Sequence, residues 1–152
     1  MSELLRTTLS ERAQEIPLKE ELAFVQDYLD LYRLLMPERL STSFEIAPEA
    51  WQALIPCLLL QPLVENAILH GIAGRREGGL VRIDAHTQSG ELIIAISNDV
   101  PENCDGKPGT GLGLANVRDR IVALYGSAQR LHFDPGPPAC TRVRLPLKHD
   151  QS

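Results

Sequence analysis

Three glycines at every second position, in Gly109-Thr110-Gly111-Leu112-Gly113-Leu114, place the tightest constraint on this 152-residue chain. They follow a polar stretch containing Pro101, Gly106 and Pro108 and open an amphipathic segment. Without Cβ atoms, the backbone there admits a ligand at very close range. The helix that begins near Leu112 offers unpaired N–H groups and the positive end of its dipole. Together these make an anion site, and phosphate is the usual anion. A flexible loop before a helix is the other reading of the glycines taken alone. The spacing is not that of a dinucleotide fingerprint, which needs G-x-G-x-x-G after a strand and an acidic residue about 20 positions on. Nor is it a P-loop, because Gly113 is followed by Leu114 instead of lysine.

A second motif lies upstream: Leu60-Gln61-Pro62-Leu63-Val64-Glu65-Asn66-Ala67-Ile68-Leu69-His70-Gly71. Leu60, Leu63, Val64, Ala67 and Ile68 recur at the spacing of a core-facing helical stripe. Glu65, Asn66 and His70 fall off that stripe, and Asn66 and His70, four apart, point the same way. A carboxylate and an amide oxygen are hard ligands suited to Mg²⁺, which keeps several waters and bridges to phosphates. Alone, the trio reads equally well as a solvated helix face.

Taken together, the Glu-Asn-Ala-x-x-His-Gly helix and the Gly-Thr-Gly-Leu-Gly-Leu turn resemble the N box and glycine box of the GHKL ATPase superfamily. The closer resemblance is to the LytS-type sensor histidine kinases. It rests on residues 60–71, on Gly113-Leu114-Ala115-Asn116-Val117-Arg118-Asp119-Arg120-Ile121, and on Ile16-Pro17-Leu18-Lys19-Glu20-Glu21-Leu22. It covers roughly residues 3–147. The resemblance implies an α+β fold, a two-layer α/β sandwich of the GHKL type with an N-terminal helical segment, binding ATP and Mg²⁺. It implies Asn66, with Glu65, at the metal and the catalytic centre. It further implies nucleotide contacts from His70, Asn98, Asp99, Gly109, Thr110, Gly111, Leu112, Gly113, Leu114 and Thr141. Arg118 and Arg120 read as phosphate-reaching or plain surface charge.

Composition agrees with one domain that has a real core: 43% hydrophobic and 23% charged residues. The net charge of −5 gives no basic footprint for nucleic acid. No apolar run is long enough to span a bilayer, and the N-terminus has no signal-peptide pattern. Cys57, Cys104 and Cys140 are odd in number and far apart, which suggests reduced thiols and neither a disulfide frame nor a zinc site.

Residues 1–37 read as a helical segment, the end of a dimerisation region; 38–148 as the ATP-binding catalytic domain; 149–152 as a tail. Leu18, Leu22, Val25, Leu29, Tyr32 and Met36 are spaced as a coiled-coil or bundle seam, and docking onto the following domain satisfies the same spacing. Pro17 is expected to break or restart the helix. A strand is expected over 41–47, a short helix from Pro48, the motif helix over 57–70, and a hairpin of 80–87 and 91–97 around Ser89-Gly90. A helix from about Leu112 should end at Gly126, followed by a last strand pair over 130–134 and 141–147.

The stretch 98–108 reads as a lid loop. Here the chain departs from the family pattern. The usual Asp-x-Gly-x-Gly, whose Asp accepts from the adenine amino group, is replaced by Asn98-Asp99-Val100-Pro101. The simplest register puts Asn98 at the Asp position; an Asn oxygen accepts without charge assistance. A one-residue shift would put Asp99 there. The usual Gly-Thr of the last strand is Cys140-Thr141.

The Asn-Pro-His-Phe-like segment that carries the family's phosphoacceptor is absent from this sequence. The resemblance therefore implies a catalytic fragment that does not phosphorylate itself and donates the γ-phosphoryl group to a histidine outside it. It also implies a phosphoacceptor helix and a response regulator as partners, a homodimeric parent, and a cytoplasmic domain whose parent is anchored in the inner membrane. Alternatives are another GHKL enzyme, such as an anti-sigma serine kinase, or a non-catalytic nucleotide-binding module.

Overall fold

The computed structural model describes residues 15–72, 75–100 and 112–149. Helix α1, Leu18–Leu35, follows a three-residue strand β1, Glu15–Pro17. Strand β2 is Leu40–Ile46, β3 is Leu54–Pro56 and helix α2 is Leu60–His70. Strands β4, Gly79–Gln88, and β5, Glu91–Asn98, form the hairpin. Helix α3 runs Leu112–Tyr125, and β6, Leu131–Asp134, and β7, Ala139–Pro146, close the domain.

The main sheet has five strands in the order β2-β4-β5-β7-β6. Strand β2 runs parallel to β4 and every other pairing is antiparallel. Side chains alternate across a sheet. One face presents Val81, Ile83, Ala85, Leu92, Ile94, Ile96, Val143 and Leu145 to the helices, and all belong to one buried cluster with Leu63, Val64, Ile68, Val117 and Ile121. The other face carries Arg82, Asp84, His86, Arg142 and Arg144. This is the expected α+β two-layer sandwich.

The hairpin turns through Ser89 and Gly90, at φ 52° and 77°, the backbone hand that matches strand twist. Gly126, at φ 80°, ends α3 and donates its N–H to the Val122 carbonyl at 2.8 Å. Three local expectations are corrected. Residues 15–17 are a strand, paired antiparallel with β3 from Glu15↔Pro56 to Pro17↔Leu54, and the helix restarts after Pro17. The short helix at Pro48 is a single 3₁₀ turn, Pro48–Ala50. The motif helix begins at Leu60, because Leu58 takes a left-handed φ of 61°.

The heptad spacing of α1 docks on the domain itself. Leu18, Leu22, Val25 and Leu29 are buried in the common core, and Tyr32 and Met36 pack against it. Each fully buried leucine or valine contributes about 2 kcal/mol, so α1 is part of what holds the sheet layer together. No described helix is long and apolar enough to cross a membrane. Cys57 and Cys140 are free thiols. Cys104 lies outside the described residues.

Candidate functional site

The motif helix α2 packs its stripe of Leu60, Leu63, Val64, Ala67 and Ile68 into the core. That leaves Glu65 exposed and Asn66 half-buried on the remaining surface, as the periodicity requires. Glu65 is close enough to Tyr28 of α1 that, after burial and the Tyr32 hydroxyl, its charge helps push the Tyr28 phenol up. His70 is the last residue of α2.

The end of β5 meets the end of α2. Asn98 is 8% exposed and lies on the helix-facing side of the sheet. Its Nδ2 donates to the Asp99 carbonyl at 2.9 Å, which turns the Oδ1 acceptor the other way. Gly71 makes this approach possible. A Cβ there would lie 2.1 Å from Asn98 Nδ2 and 2.6 Å from the carbonyls of Ala67 and Asp99. Any side chain at 71 would therefore displace Asn98.

Asp99 faces elsewhere. Its Oδ2 accepts from the Leu80 N–H at 2.9 Å, and its own N–H donates to the Leu80 carbonyl at 3.2 Å. The carboxylate thus closes the start of β4. Arg75 braces the same corner, with Nη1 donating to the Val100 carbonyl and Nε to the Gly78 carbonyl, both at 2.7 Å.

Thr141 is buried on β7 opposite Ile96, while Asn98 stands opposite Ala139. Asn98 and Thr141 are therefore diagonal neighbours on the helix-facing side of the sheet. Leu112 and Gly113 open α3, and Leu114 is buried at 4% exposure in the core. What Leu114 can offer a ligand is its backbone. Gly109, Thr110, Gly111 and most of the expected lid lie outside the described residues. Arg118 lines a small cleft with Ala128, Gln129, Leu131 and His132 near β6. Arg120 instead lies near Cys57 and Tyr125, where burial raises both pKa values and the Arg120 charge partly offsets the rise.

A cleft of about 910 Å³ occupies the open face of the sheet, lined by Glu45, Asp84, His86, Ile93, Arg142 and Arg144 among others. Strand alternation puts it on the side away from Asn66, Asn98 and Thr141, so it is separate from the motif residues.

Sequence reasoning missed Glu21. It is fully buried in α1, with Oε2 accepting from the Leu58 N–H at 3.0 Å and Oε1 from the Leu60 N–H at 3.2 Å. The available signal was an acidic residue inside an apolar stripe, directly before Leu22. Burial, then the Glu21 charge, pushes the nearby Cys57 thiol up, which keeps it protonated and weakly nucleophilic.

The catalytic domain of the histidine kinase ThkA shares this fold, with a TM-score of 0.64, 18% identity, and 90% of this chain and 97% of that one covered. The fold class is therefore that of a histidine kinase catalytic domain. A family model described as histidine kinase matches residues 1–40. The sensor protein LytS of Staphylococcus haemolyticus is 31% identical over 147 residues, which is 88% of this chain and 25% of LytS. The sensor histidine kinase YpdA of Escherichia coli is 33% identical over 134 residues, 81% of this chain and 23% of YpdA. The chain belongs to the sensor histidine kinase family, in its LytS-type branch. It spans about a quarter of the length of the curated relatives it matches.

Proposed function

We propose that this chain is the ATP-binding catalytic region of a LytS-type sensor kinase, which binds Mg-ATP and donates the γ-phosphoryl group to a histidine outside the chain. The observation that carries the reading is the junction of α2 and β5, where Gly71 lets the buried Asn98 amide lie against the last turn of the Asn66 helix. The residues suit a nucleotide. Asn98 commits its donor to the Asp99 carbonyl, so its oxygen is the end that would accept from the adenine amino group. Asp99 is engaged at Leu80, which favours Asn98 over Asp99 as the adenine reader. Thr141 would contribute its hydroxyl from the same side of the sheet.

Among the described residues no three His, Cys, Asp or Glu side chains gather to hold a metal. Mg²⁺ would therefore rest on Asn66, aided by Glu65, with phosphate oxygens and water filling the rest of its shell. His70 at the end of α2 would contact the nucleotide. Gly109, Thr110 and Gly111, which precede α3 in the sequence, with Leu112, Gly113 and Leu114 at its start, would receive the phosphates through backbone amides and a helix N-terminus. Bound Mg²⁺ supplies charge neutralisation for phosphoryl transfer; the chain's own part is positioning. The phosphoacceptor helix, a response regulator, a homodimeric whole protein and a cytoplasmic setting at the inner membrane belong to the same proposal.

Titration with ATP and ADP, with and without Mg²⁺, tests it. The chain should bind in both conditions and more tightly with the metal. Asn66→Ala should reduce the Mg²⁺-dependent affinity more than the metal-free affinity. Equal loss in both would remove the metal role from Asn66, and no binding by the unaltered chain would overturn the function.

A further inference from the structure

We propose that Glu21 is a positioning residue for the nucleotide site: from the first turn of α1 it fixes the N-terminus of α2, and so sets where Asn66 sits. The inference rests on the nucleotide reading of Asn66. The Glu21 side chain is fully buried, and both carboxylate oxygens accept from α2's entry, Oε2 from Leu58 N–H at 3.0 Å and Oε1 from Leu60 N–H at 3.2 Å. Neither helix has a side-chain cap of its own at the flanking position: Pro17 before α1 and Leu59 before α2 make no capping bond. The Glu21 carboxylate therefore serves the beginning of α2, where helix N–H groups lack intrahelical partners and the dipole is positive. The first N–H groups of α1, those of Leu18 and Lys19, donate instead to the Ala53 and Trp51 carbonyls.

A buried carboxylate survives only where such partners replace its water. Its placement is thus directional, unlike the apolar contacts of Leu18, Leu22 and Val25 around it. Leu58 shows what the bond holds. It stands at φ 61°, a hand that a leucine takes only under constraint from its surroundings. Releasing that turn would let α2 shift along or about its axis. Asn66 lies six positions past Leu60 on the same rigid helix, so it would move with it. Glu21 lies within the residues 1–40 that match the histidine kinase model. It is the polar joint between that segment and the motif helix.

The test uses the full chain with Glu21→Gln, which keeps the volume but exchanges one acceptor for a donor aimed at an N–H. Amide exchange without nucleotide should quicken at Leu58 and Leu60 and through the first two turns of α2. Unchanged exchange there overturns the hold on α2, whether or not nucleotide binds. In titrations, Mg²⁺-dependent ATP affinity should fall roughly tenfold, the scale of a charge-assisted hydrogen bond, with a smaller loss in metal-free binding. Glu20→Gln, an exposed neighbour, should change neither readout. Leu145→Ala, which weakens the far end of the core, should lower stability and leave the Mg²⁺ dependence intact. Equal loss of Mg²⁺-dependent affinity in Leu145→Ala overturns the positioning role and leaves Glu21 a structural residue. If Glu21→Gln does not fold, Glu21→Asp, which retains the charge, carries the same comparison, with partial retention of Mg²⁺-dependent affinity expected and wild-type behaviour in every readout overturning the proposal. Absence of binding by the unaltered chain would overturn the nucleotide reading, and the exchange result would still decide whether Glu21 holds α2.

Discussion

Asn98 and Asp99 are adjacent and face different ways, and their substitutions should separate accordingly. Asn98 is on the helix side of the sheet beside Gly71, while Asp99 closes the start of β4 through Leu80. Asn98→Ala should weaken nucleotide affinity about tenfold, the worth of one well-placed hydrogen bond. Asp99→Ala should lower stability by about 1 kcal/mol, the net value of a hydrogen bond, and leave affinity nearly unchanged. Titration and urea denaturation of both variants check this, and the reverse assignment would make Asp99 the adenine reader. Gly71→Ala forces a methyl to within 2.1 Å of Asn98 Nδ2 and should cost about 1–3 kcal/mol as overpacking, with affinity lost as well. The sequence left Asn98 and Asp99 as competing choices, because the register at a strand end is not written in residue types. The direction of the Asp99 side chain, which depends on β4, is what makes Asn98 the reader in the proposed function. Glu21 was illegible for a related reason: an acidic residue within an apolar stripe reads as a solvated edge until its N–H partners are located in another helix.

At the scale of elements, α1 is the informative case. A seam at 4, 3, 4, 3, 4 spacing is what a helix needs against any groove of comparable shape, whether in a bundle or over a sheet. The sequence therefore showed which face of α1 is buried and left open what buries it. The structure places Leu18, Leu22, Val25 and Leu29 in the same core as the sheet. Leu29→Ala should accordingly cost about 2–5 kcal/mol in chemical denaturation, the range for a fully buried leucine. Leu34, 80% exposed on the same helix, should cost under about 0.5 kcal/mol when changed to Ala. Equal small effects would mean that α1 is a detachable appendage. The β4–β5 hairpin was legible because Ser89-Gly90 is a local turn signal between alternating strands. The β1–β3 pair was not, since two three-residue strands far apart in sequence carry no periodicity. The parallel pairing of β2 with β4 escaped for the same reason: strand order in a sheet is set by contacts across the whole domain.

Over the whole molecule, the sheet divides two kinds of histidine. The motif residues Asn66, on α2, and Asn98 and Thr141, on β5 and β7, lie on the helix side of the sheet. His86 and His132 are exposed on β4 and β6 and, by alternation, on the open face, opposite Ile93 and Arg142 in the strand registers. Packed layers lie about 10 Å apart, so a phosphate held at the N-terminus of α3 lies across the sheet from His86, whereas His132, on the edge strand β6, lines a cleft with Arg118 of α3. His149 pairs with Ala53 in the tail, and His70 belongs to the motif helix itself. With the Asn-Pro-His-Phe-like acceptor absent from the sequence, the chain incubated with radiolabelled Mg-ATP should gain no acid-labile, base-stable phosphate. Supplied in trans with a helix hairpin carrying such an acceptor, it should label the hairpin and not itself. Since α1 uses its seam on its own core, transfer in trans would require docking through other surfaces, and its rate should rise with hairpin concentration without saturating early. Phosphate located by mass spectrometry on His86 would contradict a one-sided site. Phosphate on His70 or His149 would show that the chain carries its own acceptor.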